Sequence, residues 1–233
     1  MHPPFPSAQP AGLSLVVFLV VVAAVVVAFI VAVGRTASPD RRQRAVWMAA
    51  LGALAWLGIS GALAASGALS GGFPAPYLGG CLVGAVALAC SPVGGRLAQH
   101  LSWGALVGFH AFRLPLEGVL HAWWGAGVVP QAMTWSGQNL DVVTGLAALA
   151  LAPFAGRARW AVIAFEIMGL AMLVNIARIV ARHTVGSPLY VPDAGPAIEL
   201  AAHLPSTWIV SVCVAGAFAG HFILLRKLWV RPS

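Results

Sequence analysis

Charged residues are scarce in this sequence: they make up 8% of its 233 residues, while 60% of the residues are hydrophobic. Ordinary soluble domains are about 25% charged and about 45–50% apolar, so a soluble globule is excluded. Disorder is excluded as well, because disordered chains combine low hydrophobicity with high charge. The composition predicts an all-α membrane protein that contacts the lipid bilayer along much of its surface.

Acidic residues and lysine are the rarest charged groups. The chain has 6 acidic residues against 13 basic ones, and twelve of the basic residues are arginine, for a net charge of +7. Most of these arginines lie in short segments between apolar runs, which is the distribution that sets membrane topology. No basic nucleic-acid-binding face is predicted, and nucleic acid is not expected as a partner.

Cysteine is also rare, with Cys81, Cys90 and Cys213 as the only three. All lie in or at the end of apolar runs, without a C-x-x-C motif and without a histidine at ligand spacing. We interpret them as small residues packed in an apolar environment. No metal site and no cofactor are predicted from them.

Seven apolar runs predict a bundle of seven transmembrane helices within a single domain over residues 11–229. The runs cover residues 13–33, 45–69, 77–90, 101–124, 141–153, 160–180 and 207–225, with tails at 1–10 and 230–233. With the N-terminus outside, the basic clusters at 35–44, 96, 157–159 and 226–231 all fall on the cytoplasmic side, together with the C-terminus. Only Arg182 is then left for an outer loop.

The fourth run carries four polar residues on one helical face. His110, Arg113, Glu117 and His121 fall within an arc of about 80°. A charge at the bilayer centre costs about 2.5–3.5 kcal/mol, so this face is expected to point into the bundle. Arg113 and Glu117 are spaced to pair with each other. Both a structural ion pair and a binding or catalytic site fit this pattern.

A second polar group lies at the outer mouth of the fifth run. Asn139 and Asp141 stand at the predicted helix start, where helix capping alone would explain them. The functional interpretation is a re-entrant or lid segment that brings Asn139 and Asp141 against Arg113 and Glu117.

The remaining polar candidates lie on the last two predicted helices and the loop between them. Asn175, Arg178 and Arg182 share one face near the outer end of the sixth helix. His203 lies in the outer loop, and His221 lies deep in the seventh helix. His110 with His221 is the pair that would hold a metal or a haem between helices, but lone histidines are more often hydrogen-bonded core residues.

Two motifs resemble a family of uncharacterised bacterial integral membrane proteins. They are His110-x-x-Arg113-x-Pro115-x-Glu117 and Pro130-x-x-Met133-Thr134-x-x-Gly137-x-Asn139-x-Asp141, followed by Asn175-Ile176, Ser187-Pro188, Pro205 and His221. The resemblance covers about half of the chain and implies a multi-pass protein of the bacterial inner membrane, with these residues at its functional centre. It implies no reaction. Trp135 replaces the usual Phe, and His121 and Arg178 are not part of the pattern.

A fainter similarity, to exosortase-type transpeptidases, comes from Asn175-x-x-Arg178-Ile179 followed by His203. Those enzymes need a cysteine nucleophile on the outer side. The cysteine at the end of the third run, Cys90, is predicted near the cytoplasmic face.

Three functions are consistent with these residues. The first is binding or movement of a small polar or anionic solute, with Arg113 recognising the anion and His110 and Glu117 carrying protons. Asn139 and Asp141 would contact the solute or gate its access from the extracytoplasmic side. The second is a membrane-embedded enzyme acting on a lipid or lipid-linked substrate, and the third is a structural or assembly subunit. The site candidates are His110, Arg113, Glu117, Asn139, Asp141 and Asn175, with His121, Arg178, His203 and His221 as secondary ones.

Overall fold

The computed structural model describes residues 10–70, 72, 74–194 and 197–229, and every regular element in that part of the chain is helical. Residues 1–9 and 230–233 of the two predicted tails, including Arg231, lie outside the described residues. The helices are α1 Gly12–Thr36, α2 Arg42–Ala65, α3 Ala75–Cys90, α4 Pro92–His100, α5 Trp103–Phe109, α6 Arg113–Gly125, α7 Asp141–Leu151, α8 Arg159–His183 and α9 Ala215–Trp229. A 3-10 turn, His110–Phe112, joins α5 to α6, and a π-helical segment, Ile209–Val214, leads into α9.

Four helices among the described residues are long and apolar enough to cross a membrane. They are α1, α2, α8 and the continuous helix Ile209–Trp229, and a fifth is added if α3 and α4, bent by 60°, form one span. The predicted count of seven is therefore not supported by helix length and composition, and neither is the predicted orientation of the termini. Both remain proposals.

Two of the predicted spans are interrupted or short. The fourth run is divided by the 3-10 turn, because Pro115 has no N–H to donate and its ring crowds the carbonyl four residues before it. The fifth run forms only α7, whose eleven residues extend about 16 Å, roughly half of a 30 Å hydrocarbon core. The α3–α4 bend also has a local cause, because Ser91 caps α4 and Pro92 begins it.

Large apolar side chains cover the outer surface of α1, α2 and α8. Val16, Leu54, Ile167 and Val174 are among those that are more than half exposed. Soluble monomers rarely expose contiguous apolar surface on this scale, whereas lipid tails accept it. The surface is therefore compatible with contact to a lipid bilayer, which the composition predicted.

Helix α9 occupies the centre of the bundle and contacts α3, α4, α5 and α8. Glycine allows this close packing: a Cβ atom on Gly220 would lie 3.0 Å from the His110 ring, and one on Gly216 would lie 3.2 Å from Val25. Gly80 and Gly84 on α3 have the same spacing but do not serve close packing, because a Cβ atom on either would have no neighbour within 4 Å.

Cationic side chains tie several helix ends together. Arg226 Nη1 donates to the carbonyl oxygens of Ala89 and Ser91, each at 2.9 Å. Lys227 Nζ donates to Ala98 O, and Arg159 Nη2 donates to Leu228 O, both at 2.9 Å. Cations suit exposed carbonyls at helix C-termini. The ends of α3, α4 and α9 and the start of α8 thus meet at one end of the bundle, here called the basic end.

Candidate functional site

A buried polar network surrounds Arg113, the first residue of α6, whose side chain is 2% exposed. Its Nη1 donates to Asp141 Oδ1 at 2.8 Å, and its Nη2 lies 3.4 Å from His221 Nε2. The predicted pairing with Glu117 on the same helix is wrong. Arg before Glu is the weaker order for such a pair, and Asp141 offers a carboxylate directly opposite the guanidinium.

Glu117 is bound by the segment that precedes α7. Asn139 Nδ2 donates to Glu117 Oε1 at 2.5 Å and to Met133 O at 3.1 Å. Asn139 Oδ1 accepts a bond from the Asp141 backbone N–H at 3.3 Å, which satisfies one of the free N–H groups at the start of α7. The expected approach of Asn139 and Asp141 to Glu117 and Arg113 is confirmed, and Asn139 acts as a helix cap at the same time.

The third contact of the network joins α8 to α9. His221 Nδ1 lies 3.0 Å from Glu166 Oε2, and both side chains are fully buried. Glu166 was not among the site residues predicted from the sequence. The sequence did indicate a role for Glu166, because a carboxyl group within an apolar helix needs a partner on a neighbouring helix.

His110 packs against His221 instead of facing it across a gap. The two ring centroids are 4.0 Å apart with an angle of 30° between the planes. The rings are therefore in direct contact, an arrangement that does not frame a porphyrin or a metal between them. Among the residues that the structure describes, no group of three His, Cys, Asp or Glu side chains is positioned to bind a metal ion.

The network lies well inside the bundle. His110 is seven residues after the start of α5, Glu166 is seven residues after the start of α8, and His221 is eight residues before the end of α9. At 1.5 Å per residue these positions are about 10–12 Å along their helices from the ends nearest the basic end. Three helices thus agree on the depth of the network.

Several polar atoms of this network have no hydrogen-bond partner within the described part of the chain. They are both ring nitrogens of His110, Arg113 Nε, Glu117 Oε2, Thr144 Oγ1 and Glu166 Oε1. A buried polar atom without a partner costs about 1–3 kcal/mol. The network therefore retains capacity for additional hydrogen bonds.

Residues 126–140, here called the re-entrant segment, run from the end of α6 back to the network. Met133 and Thr134 are buried, and Asn139 N–H donates to Thr134 O at 3.2 Å. Gly137 is required by close packing, because a Cβ atom there would lie 2.2 Å from Gln131 O. The segment closes the network on the side away from the basic end.

Two predicted site residues on α8 hold this segment in place. Asn175 Nδ2 donates to Gln138 O at 2.7 Å, and Arg178 Nη2 donates to Gln138 Oε1 at 2.8 Å and to Asn175 Oδ1 at 3.0 Å. These contacts are solvent-accessible and do not reach Arg113. Asn175 and Arg178 therefore form a clamp on the re-entrant segment next to Asn139.

Two other predicted candidates lie outside the network. The His121 ring stacks on Trp135 of the re-entrant segment, with centroids 4.2 Å apart and an interplanar angle of 6°. His203 is half-buried, and its Nε2 lies 3.5 Å from Glu199 Oε2.

A transpeptidase would need a cysteine beside the residues that resemble its motif. Cys90 is exposed at the end of α3, and Cys81 and Cys213 are buried. In the described ranges, no side-chain hydrogen bond joins a cysteine to Arg178 or His203.

Removing the clamp is expected to loosen the re-entrant segment. In the Asn175→Ala/Arg178→Ala variant, the amides of residues 131–139 should exchange hydrogen about tenfold faster, since the lost bonds are worth about 1.4 kcal/mol together. Hydrogen–deuterium exchange with mass spectrometry measures this directly. Arg182→Ala is the matched control on the same helix, and equal exchange in both variants would show that the clamp does not hold the segment.

The geometry of the network, of the re-entrant segment and of the clamp is the basis for assigning a function. No protein family, curated protein or solved structure matches this chain.

Proposed function

We propose that this protein binds and transports a small polar or anionic solute at the network around Arg113, in a process coupled to protons. The observation that carries the proposal is that two helices depart from a regular transmembrane helix at this network. The α5–α6 path tightens into a 3-10 turn at His110–Phe112, and α7 begins at Asp141 within the bundle. Transporters build midplane solute sites from helices that begin within the membrane, where their free N–H groups attract anions.

The composition of the network supports proton coupling. One guanidinium is buried with three carboxyl groups, Asp141, Glu117 and Glu166, and with the imidazoles of His110 and His221. Unbalanced charge is costly in a low-dielectric interior, so the excess carboxyl groups favour bound protons. In this proposal Arg113 binds the anion and Glu117 and His110 exchange protons, while Asn139 and Asp141 gate the site.

The proposed membrane orientation follows from the basic end. We place this end in the cytoplasm, because cationic segments are retained there. Asn175 is 16 residues beyond Arg159 on α8, about 24 Å further across the membrane, so the clamp lies near the opposite, extracytoplasmic side. The N-terminus is then outside, and α7 with the re-entrant segment completes the fifth of seven crossings in a bacterial cytoplasmic membrane.

Proton movement in proteoliposomes tests the proposal. Vesicles containing a pH-sensitive dye are exposed in turn to phosphate, sulfate, acetate and glutamate, and one class should produce a solute-dependent pH change. Glu117→Gln and Arg113→Lys should each slow this change by about thirtyfold or more, as expected for loss of a buried charged contact worth about 2–5 kcal/mol.

Glu199→Gln is the control for these variants, because its carboxyl is exposed and, among the described residues, its one ion pair is with His203 at 3.5 Å. It should transport like the wild type. Wild-type flux in both network variants would contradict a role of the network in transport.

A lipid-modifying enzyme is the second candidate, and one observation favours it. An apolar cavity of about 1010 Å³ lies between helices, with Phe109 and Gly220 in its wall, and a Cβ atom on Gly220 would lie 3.0 Å from the His110 ring. A lipid in this cavity would approach His110, with Glu117 as the second acid–base group. Turnover of a headgroup-labelled phospholipid that is lost in His110→Gln would favour the enzyme over the transporter.

A further inference from the structure

Two adjoining cavities lie along α1 and α2 and face α3 and α4. The larger is the apolar cavity of about 1010 Å³, and the smaller, of about 910 Å³, lies beside the cationic residues of the α1–α2 turn. Arg35, Ala45, Met48 and Arg96 line both. The two cavities therefore form one continuous space, here called the lateral groove, with an apolar body and a basic mouth.

The apolar body has the length of one membrane leaflet. It follows α1 over residues 24–35, about 16 Å, which is half of a hydrocarbon core of roughly 30 Å. Two indole hydrogen bonds tie α2 to the π-helical segment near the other end of the groove: Trp56 Nε1 donates to Ser211 O at 2.8 Å, and Trp208 Nε1 donates to Leu57 O at 3.2 Å. The body ends where these bonds join the helices.

The basic mouth carries cations that are not used to hold the fold together. Its charged and titratable side chains are Arg35, Arg41, Arg44, Arg96 and His100, all exposed, and no described carboxyl group lines it. Within the described ranges, the only ion pair among them is the exposed contact of Arg41 with Asp40 at 3.6 Å.

Three other cations of the basic end already have partners within the fold. Arg159, Arg226 and Lys227 each donate to backbone carbonyl oxygens. Arg35, Arg44 and Arg96 make no side-chain hydrogen bond to any other described residue, which leaves their guanidinium groups available to an external anion. A molecule that fits both parts of the groove is apolar along one leaflet and negatively charged at the leaflet surface.

We propose that the lateral groove binds one anionic phospholipid of the leaflet at the basic end. The phosphate contacts Arg35 and Arg96 at the mouth, and the acyl chains lie along α1 and α9 towards Gly216. Basic pockets between transmembrane helices bind anionic headgroups in this way, and a guanidinium pairs with phosphate through two parallel bonds. The headgroup contacts at the mouth are separate from the network, and the proposal does not depend on the proposed transport.

Lipid titration monitored by native mass spectrometry tests the headgroup contact. The full-length protein in detergent is titrated with phosphatidylglycerol, and Arg35→Gln/Arg96→Gln should weaken binding about 25-fold, since each surface cation contributes a factor of about five. Arg42→Gln/Arg157→Gln removes two cations that do not line the groove and should bind as the wild type does. Equal affinity in both double variants would overturn the proposal.

A second variant tests the apolar body. Gly52 lines the groove on α2 and Gly58 does not, and a Cβ atom on either would meet nothing within 4 Å. Gly52→Phe should abolish phosphatidylglycerol binding, whereas Gly58→Phe should leave it unchanged. Retained binding in Gly52→Phe would overturn the proposal.

Two further measurements in the same titration test which ligand the groove binds. Phosphatidylcholine, which carries no net charge, should bind at least tenfold more weakly than phosphatidylglycerol. Inorganic phosphate at the same concentration should not displace the bound lipid. Equal binding of phosphatidylcholine, or displacement by phosphate alone, would each show that the groove is not a site for an anionic lipid.

Discussion

Replacing Arg113 with leucine is expected to destabilise the protein by about 3–5 kcal/mol. The guanidinium is buried and binds Asp141 at 2.8 Å, so its removal leaves a carboxylate in the interior without its partner. The start of α7 then loses the contact that holds it in the bundle. Unfolding by SDS in mixed micelles measures the loss, and the same variant should show no solute-dependent pH change in proteoliposomes.

Two further variants show whether the loss is specific to Arg113 and whether the Arg113–Asp141 pair is only structural. Arg182→Leu, at a partly exposed position on α8, should change stability by no more than about 0.5 kcal/mol. In Arg113→Leu/Asp141→Leu neither charge is left alone, so most of the lost stability should return while transport stays absent. Transport by this double variant would mean that the pair is only structural, as expected for an assembly subunit.

The Gly169→Ala variant is expected to be as damaging as a large core substitution, although it adds a single methyl group. The new Cβ atom would lie 2.1 Å from His221 Cε1 and 2.5 Å from its Nε2. The imidazole has to leave its place between Glu166 and Arg113, so overpacking of about 1–3 kcal/mol adds to the cost of a carboxyl without a partner. Thermal unfolding and the proteoliposome assay should both show the defect.

Gly118→Ala is the matched control for this substitution. A Cβ atom there would meet nothing within 4 Å, and alanine is the better helix former by up to about 1 kcal/mol, so stability should be unchanged or higher. Gly169→Ala/His221→Ala removes the clash but still leaves Glu166 without its partner, so it should recover only the overpacking part of the lost stability and no transport. A wild-type Gly169→Ala protein would show that the His221 position tolerates displacement.

Hydropathy and charge were enough to predict the helical membrane architecture and the polar face of the fourth run. The approach of Asn139 and Asp141 to that face was also predictable, because intramembrane charges require partners. Which carboxylate pairs with Arg113 was not predictable. Arg113 has Glu117 one turn away, yet it binds Asp141, 28 residues further along the chain. Such a choice depends on how helices pack and has no local signal.

The 3-10 turn within the fourth run was missed for a related reason. Apolar residues flank His110–Phe112 on both sides, so hydropathy shows one uniform run where the α-helical geometry is interrupted. Pro115 was the local sign of that interruption. The importance of Gly169 was not predicted either, because glycine is frequent in this chain. Only the position of the His221 ring shows that a side chain at residue 169 cannot be accommodated.

The shortness of α7 has a consequence for how the chain enters the membrane. A segment of eleven residues that begins with an aspartate is too short and too polar to be inserted as an independent transmembrane helix. In the proposed topology it is drawn in only after α6 and α8 are embedded, with the re-entrant segment following it. The contact between Arg113 and Asp141 would then form late in biogenesis, and a chain that fails to form it would display α7 at the membrane surface to quality-control proteases.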